Sequence, residues 1–338
     1  MNRFVISNQF NPFLNLAVEE RLFEDASFHG VFFFLWRNER TVVIGAHQNP
    51  WTECAVDRLL ADGGVLARRR TGGGAVYHDV ENLNFSFVME DALYDVNRQL
   101  GVLAEALETF GLRAVATGRN DLEIDGAKFS GNAFLHAKGR GLHHGTILIR
   151  TDLAAMARYL SPPPAKLAKR GVPSVRSRVR NLSELVPALT PETLMPAFLA
   201  AFQSEYGEAA EVPFDEFASE PSVRERAERY ASEEWLYADW RLVAERPFQN
   251  RGSFSWGHCE LYADLDEAGA VRALTLASDS LYPENIEQLE RAFVGWNPAS
   301  PLPSVPYAHD VASLLLRREG RASSPAVERA SCPFRHAT

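Results

Sequence analysis

The sequence predicts an α+β protein built as two units, the second of them small. Three observations predict it. Short β-branched and aromatic runs alternate with stretches of helical periodicity through the first part of the chain. Acidic, weakly patterned sequence then occupies 208–245, and a new set of strand runs with one helix follows it. At 338 residues the chain also exceeds what one small core can hold. The expected boundaries are 1–245 for the unit that carries the chemistry, 250–320 for an accessory unit and 321–338 for a loose tail containing Ala322-Ser323-Ser324-Pro325.

Asn11-Pro12 caps a first helix with Phe13, Leu16, Ala17, Leu22 and Phe23 on its apolar positions. Val31 to Trp36 and Thr41 to Gly45 read as buried strands joined by a polar turn. Asn49-Pro50 opens a second helix expected to run through Leu60 and stop at Gly63-Gly64. Leu83 to Met89 has strand alternation, and Val96 to Phe110 a helix ending at Gly111. Asp125-Gly126 marks a hairpin turn. In the strand after it, Lys128, Ser130 and Asn132 are expected on one face, with Phe129, Gly131 and Ala133 on the other. Leu142 to Arg150 is a further strand. Its neighbours His143 and His144 should point to opposite faces, which argues against a metal held by the pair. Beyond a Pro-rich, basic connection at Ser161–Pro164, Thr190 and Pro191 start a helix reaching Tyr206, with Pro196 inside it. Phe254-Ser255-Trp256-Gly257 is read as opening the second strand set, Glu260 to Leu265 and Ala270 to Ala277, followed by a helix from Glu284 to Phe293.

Composition narrows the function. Hydrophobic residues make up 46% and charged residues 23%, the balance of an ordinary soluble globular protein. No run approaches the roughly 20 apolar residues of a membrane span, and Met1 to Phe10 lacks a signal-peptide core, so the expected location is the cytoplasm. The net charge of −9 disfavours nucleic acid as a partner. Cys54, Cys259 and Cys332 are odd in number and far apart, which argues against a disulfide framework. Basic residues are nonetheless concentrated at Arg68–Arg70 and again at Lys166, Lys169, Arg170, Arg176, Arg178 and Arg180, which suits an anionic small substrate, although the second run reads equally as a solvated loop.

The most informative segment is Arg68-Arg69-Arg70-Thr71-Gly72-Gly73-Gly74-Ala75-Val76-Tyr77-His78. Glycines let backbone N–H groups approach an anion closely, and guanidinium groups beside them add forked charged donors. The segment reads as a phosphate-binding loop. Gly118-Arg119-Asn120-Asp121-Leu122 and Lys128-Phe129-Ser130-Gly131 point to the same site. Lys128 suits charge stabilisation among phosphates better than nucleophilic attack. Asp121 is either a turn cap or a single hard oxygen ligand for Mg²⁺.

With these motifs the chain resembles the lipoate–protein ligase A family. The resemblance rests on Arg68 to Asp79, Asn120 to Leu122, Lys128 to Gly131 and His143 to Thr146, supported by Leu35-Trp36-Arg37, Val43-Ile44-Gly45, Gln48-Asn49-Pro50, Ser174 to Arg178, Phe254 to Gly257 and Asp279 to Leu281. It implies a mixed sheet with flanking helices, related to biotin protein ligases and class II aminoacyl-tRNA synthetases. It also implies a two-step activity: lipoate and ATP give lipoyl-adenylate and pyrophosphate, then the acyl group passes to a lysine of a lipoyl domain. Such acceptors are acyltransferase subunits of 2-oxoacid dehydrogenases and the glycine cleavage H protein. Arg69, Gly74, Ala75, Val76, Tyr77 and Lys128 match the family's nucleotide-binding positions, and the matching lysine also contacts lipoate; Lys128, Arg69, Trp36 and His78 are the expected lipoate-binding residues. ATP as substrate, Mg²⁺ and a monomeric chain complete the expectation.

Lipoate's tail needs an apolar slot, for which Leu16, Trp36 and Val43 are candidates, although core packing explains each as well. Asn132 departs from the small hydroxyl or alanine of the family pattern and is expected to alter the pocket edge, leaving lipoate and octanoate both open. An ATP-independent acyltransferase of the same fold would instead need a cysteine thiolate.

Overall fold

The computed structural model describes residues 1–117, 120–160, 179–237, 240–243 and 245–317. The expectations for Gly118, Arg119, 161–178, Cys332 and the 321–338 tail lie outside the described residues.

An eight-stranded mixed sheet organises the molecule. In chain order its strands are β1 (Asn2–Ile6), β2 (Phe32–Trp36), β6 (Asn82–Glu90), β7 (Val115–Thr117), β8 (Asp121–Ile124), β9 (Ala127–Ala137), β10 (Arg140–Leu148) and β11 (Ala209–Glu211), arranged β11-β1-β2-β6-β10-β9-β8-β7. β1 pairs in parallel with β11 and β2, and the rest of the sheet is antiparallel. β2 is buried along its whole length and β6 along nearly all of it, because both faces of the sheet are covered. One face packs Phe33, Leu35, Phe85 and Phe87 against helices α4 (Val96–Glu108) and α6 (Pro191–Tyr206). The other packs Phe32, Phe34, Trp36 and Val88 against α1 (Pro12–Phe23), α7 (Phe214–Ala218) and α8 (Pro221–Ala231). The caps behave as the residues predict. Asn11 accepts from the N–H groups of Phe13 and Leu14, and Thr190 from Thr193 N–H. Pro196 sits inside α6 without ending it.

A small second sheet carries the glycine loop: β3 (Thr41–Ile44) lies between β4 (Val65–Arg68), parallel to it, and β5 (Val76–His78), antiparallel. A third sheet, β12 (Phe248–Phe254), β13 (Gly257–Leu265) and β14 (Val271–Ser278), packs on α11 (Pro283–Phe293) and α12 (Ala308–Leu316) around its own apolar cluster, which includes Trp256, Leu261, Leu276 and Phe293.

Three sequence readings need correction. The second helix is two, α2 (Pro50–Glu53) and α3 (Val56–Ala61), because Cys54 turns extended between them and bridges to Leu160. Phe254 to Gly257 does not open the third sheet; it turns β12 into β13, with Gly257 at φ 155°. The weakly patterned 208–245 stretch is helical over α7, α8, α9 (Glu233–Tyr237) and α10 (Trp240–Val243). Pro221 at the first turn of α8, with Val223, Ala227 and Tyr230 on one side, was the available signal.

One group makes stability depend on pH. Glu290 on α11 accepts Leu276 N–H at 2.7 Å, and burial pushes its carboxyl up to about 7, with Glu287 adding repulsion while the Leu276 N–H, Arg246 and Arg291 oppose the rise. The folded state therefore holds this proton more tightly than an ordinary carboxyl near 4.5 does. Stability contributed by the protonated form is present at low pH and is lost as pH rises from about 4.5 to about 7. Urea titrations of wild type and Glu290→Gln at pH 5 and pH 8 check this; the substitution is expected to flatten the difference.

Candidate active site

The hairpin from β8 to β9 turns at Asp125 (φ 52°) and Gly126 (φ 75°), the left-handed pair of a two-residue hairpin. Beyond it the strand does not alternate simply. Glu123 pairs with Lys128 and Leu122 with Ser130, so Phe129 is an extra, bulged residue. The bulge overturns the expected face assignment. Phe129 packs into the core cluster on the α4 face, while Lys128 moves to the face of Gly131 and reaches over it: a Cβ added to Gly131 would lie 2.9 Å from Lys128 Nζ. Asn132 lines the cavity, and its amide is fixed there: Oδ1 meets His143 Nε2 at 2.9 Å and Nδ2 donates to Asn120 O at 3.0 Å. Lys128 Nζ pairs with Asp121 Oδ1 at 2.6 Å, and both side chains are about one-third exposed.

Lys128 stands beside a cavity of about 110 Å³ laid across the sheet. Leu16, Trp36, Val43, Asn84, Ala133, His144 and Thr146 line it, together with Arg69, Gly73, Gly74, Ala75, Val76 and His78 of the glycine-loop segment. The three apolar candidates are thus both core residues and cavity wall. The row runs Trp36 on β2, Asn84 on β6, Thr146 on β10 and Gly131 on β9; Asn84 pairs with both Trp36 and Thr146, and Gly131 N–H donates to Thr146 Oγ1 at 3.4 Å. Three strand spacings separate the ends, about 14 Å. Tyr77 stays out of the lining. Its ring packs beside Tyr159 (centroids 5.7 Å apart) on the opposite side of β5, so only its backbone can face a ligand near Val76.

All three arginines of the triplet hold partners within the protein, and Arg69 also lines the cavity. Arg68 donates to Gly45 O, Ala46 O and Gln48 O and to the carbonyls of Trp235 and Leu236, tying α9 to the small sheet. Arg69 is 6% exposed and braces the glycine loop from inside: Nε donates to Thr71 Oγ1, Nη1 to Val43 O, and Nη2 to Gly72 O (2.6 Å) and Gly74 O (2.9 Å). Burial lowers both guanidiniums to about 10, which leaves them charged near neutral pH. Arg70 pairs with Glu20 at 2.8 Å and Glu24 at 3.3 Å, carboxylates shared with Arg229 and Arg226 of α8.

Sequence reasoning missed two features. A buried chain of hydrogen bonds crosses the cavity wall: Trp36 Nε1–H donates to Ser86 Oγ (3.0 Å), Ser86 to Glu19 Oε1, His144 Nδ1–H to the same oxygen (2.8 Å), and Thr71 Oγ1–H to His144 Nε2 (2.8 Å). Its only trace was the position of Glu19 among the apolar residues Leu16, Leu22 and Phe23 of α1. The glycine loop is also seated on the third-sheet unit. Gly73 N–H donates to Ser280 O at 2.9 Å, Ser278 N–H to His47 O at 2.9 Å, and a Cβ on Gly72 would sit 2.0 Å from Ser280 O. No grouping of three or more His, Cys, Asp or Glu able to hold a metal occurs among the described residues.

A cavity with apolar walls that also carries a lysine and glycine-loop backbone suits a ligand with an apolar body and an anionic end. The comparisons agree with that class. Residues 11–203 match the family described as lipoyl protein ligase A/B catalytic domain, and the chain belongs to it. It is 38% identical over 297 residues to lipoate-protein ligase A of Bdellovibrio bacteriovorus, covering 86% of each chain. The structure is similar to that of P. falciparum LipL1 in complex with lipoate (TM-score 0.80, 26% identity, 94% of this chain and 99% of that one). It is also similar to a lipoate-protein ligase A bound with ATP (TM-score 0.61, 27% identity, 70% and 98%) and to a bipartite lipoate protein ligase studied with its E2 lipoyl domain from Thermoplasma acidophilum (TM-score 0.62, 29% identity, 70% and 96%). No helix among the described residues is long and apolar enough to cross a membrane.

Proposed function

We propose that this chain is an ATP-dependent ligase that activates lipoate as lipoyl-adenylate and transfers the lipoyl group to a lysine of a lipoyl domain, working as a cytoplasmic monomer. The observation that carries the reading is the cavity itself, with Leu16, Trp36 and Val43 in its wall, Lys128 beside Gly131 about 14 Å across the sheet from Trp36, and the glycine loop running along it next to Val43. In the first step a carboxylate oxygen of lipoate attacks the α-phosphorus and the bond to pyrophosphate breaks. In the second the acceptor amine attacks the acyl carbonyl and AMP leaves. Both steps build negative charge between the glycine loop and β9. Lys128 Nζ supplies a positive donor there once phosphates compete with Asp121 for it. Gly74 and Ala75, beside the Arg69 brace, present backbone to the nucleotide, while Gly73 N–H is held by Ser280 O. Mg²⁺ brought by the nucleotide would take Asp121 as its protein ligand, since such ions need only one or two carboxylates beside phosphates. The unit from Phe248 onward, seated on Gly72 and Gly73, covers the loop and shields the adenylate from water.

The cysteine-dependent alternative loses support. Cys54 is 2% exposed and burial pushes its thiol up to about 12; Cys259 is fully buried and pushed up likewise; neither lines the cavity. Lipoate-dependent exchange of pyrophosphate into ATP, followed by the mass increase of a lipoyl domain, tests the proposal. A variant with Cys54, Cys259 and Cys332 all replaced by alanine is expected to retain exchange and ligation. Trapping of an acyl-thioester on the wild type would return the thiolate reading.

A further inference from the structure

Asn120 and Asn132 grip each other at the end of the β8–β9 ladder. Asn132 N–H and Nδ2–H both donate to Asn120 O, at 2.8 and 3.0 Å, and Asn120 Nδ2 donates back to Asn132 O at 2.7 Å. A carbonyl can only accept, so Asn132 must turn its NH₂ to Asn120 and its oxygen to the buried ring of His143, 2.9 Å from Nε2. Burial, with His144 adding to it, lowers the pKa of that imidazole to about 3, so the ring is neutral and carries one proton. The oxygen facing it puts that proton on Nε2. Nδ1 is then an acceptor. Gln99 of α4 meets it at 2.8 Å, and with Oε1 there two acceptors would face each other; the half-turned amide, of the same shape, donates instead. One backbone carbonyl thus sets the direction of every hydrogen bond from Asn120 back to α4. Gly145 leaves room for the arrangement, since a Cβ added to it would lie 2.8 Å from Asn132 Oδ1.

We propose that Asn132, held by His143, is a positioning residue for the reaction: its clamp on Asn120 fixes Asp121 opposite Gly131, and with it the Asp121–Lys128 pair beside the cavity. This rests on the ligase reading above. Asp121 pairs with Gly131 and Leu122 with Ser130, after which the register shifts at Phe129. The carboxylate therefore stands on a short stretch of ladder between the bulge and the clamp. Short ladders open readily unless their ends are tied. The clamp ties this one with three bonds, where Asn120, Gly131 and Asn132 line the cavity. Asp121 in turn holds Lys128 Nζ at 2.6 Å, so a shift of the β8 end moves the ammonium as well. Asn132 acts through the two residues it orders, and a misplacement of about 1 Å at a reacting group can cost about 100-fold in rate.

The test is a double-mutant cycle on lipoate-dependent exchange of pyrophosphate into ATP by the full-length protein, together with ¹⁵N NMR of the histidine rings. Asn132→Ala is expected to lower the exchange rate about 10- to 100-fold on protein with a wild-type melting profile. In a Lys128→Ala background the same substitution should cost less than about 3-fold, because the clamp acts through Lys128. Asn132→Ser, whose hydroxyl can hold one partner, should recover part of the rate. Wild type is expected to carry the His143 proton on Nε2. Equal losses in the two backgrounds would make the clamp a purely structural contact and overturn the proposal, as would a wild-type rate in Asn132→Ala or an Nδ1–H ring at His143. The ring is read on wild type even if Asn132→Ala does not fold. Wild type without exchange would sink the ligase reading itself, whereas normal exchange with equal losses in the two backgrounds would sink only this inference.

Discussion

Lys128→Ala is expected to slow lipoate-dependent adenylation about 10²- to 10³-fold and to slow transfer from preformed lipoyl-adenylate by a similar factor. On the proposed two-step reading the same ammonium serves both steps, since the Phe129 bulge brings it over Gly131 beside the cavity that the glycine loop also lines. The fold should tolerate the change, since the side chain is one-third exposed and its partner Asp121 is about as accessible to water. Exchange and single-turnover transfer, measured separately on protein with a wild-type melting profile, check the result. A loss in adenylation alone would confine Lys128 to the phosphates.

Arg69→Ala is expected to damage stability as much as binding. Its guanidinium satisfies Thr71 Oγ1 and three backbone carbonyls inside the loop, and removing it strands those acceptors where water does not reach. Each stranded group costs about 1–3 kcal/mol, so a total loss on the order of 3 kcal/mol or more is anticipated. Nucleotide affinity should fall because the loop collapses, without requiring any direct contact between Arg69 and a phosphate. Thermal melts and nucleotide titrations on the same preparation test both halves. Arg69→Lys should rescue little, since a single ammonium cannot reproduce the forked geometry. An unchanged melting temperature with lost affinity would make Arg69 a direct ligand of the nucleotide.

Local chemistry made much of this protein legible from sequence. Asn11 and Thr190 cap helices because their side chains satisfy free N–H groups one turn away, and Asp125-Gly126 turns a hairpin because both positions accept a positive φ. Such signals depend on a few neighbouring residues, so they survive reading in isolation. The glycine loop, Lys128 and the order of motifs likewise pointed to the family that the comparisons then established.

What sequence alone determined, then, is the list of chemical groups and most of the elements that carry them. Which way those groups point was decided only by tertiary structure. A single bulge at Phe129 separates Lys128 from Ser130 and Asn132, and no propensity predicts it, because it arises from how β9 registers against β8. Three consecutive arginines look alike in a row of letters, yet one ties down α9, one braces the loop and one joins an ion-pair network, according to what each strand position faces. Asn132 meets the Asn120 carbonyl and the His143 ring only in the folded sheet, and that carbonyl sets the direction of the hydrogen bonds behind it. Contacts between residues remote in sequence are not encoded in any local pattern; the packing that creates them is also what makes the site specific.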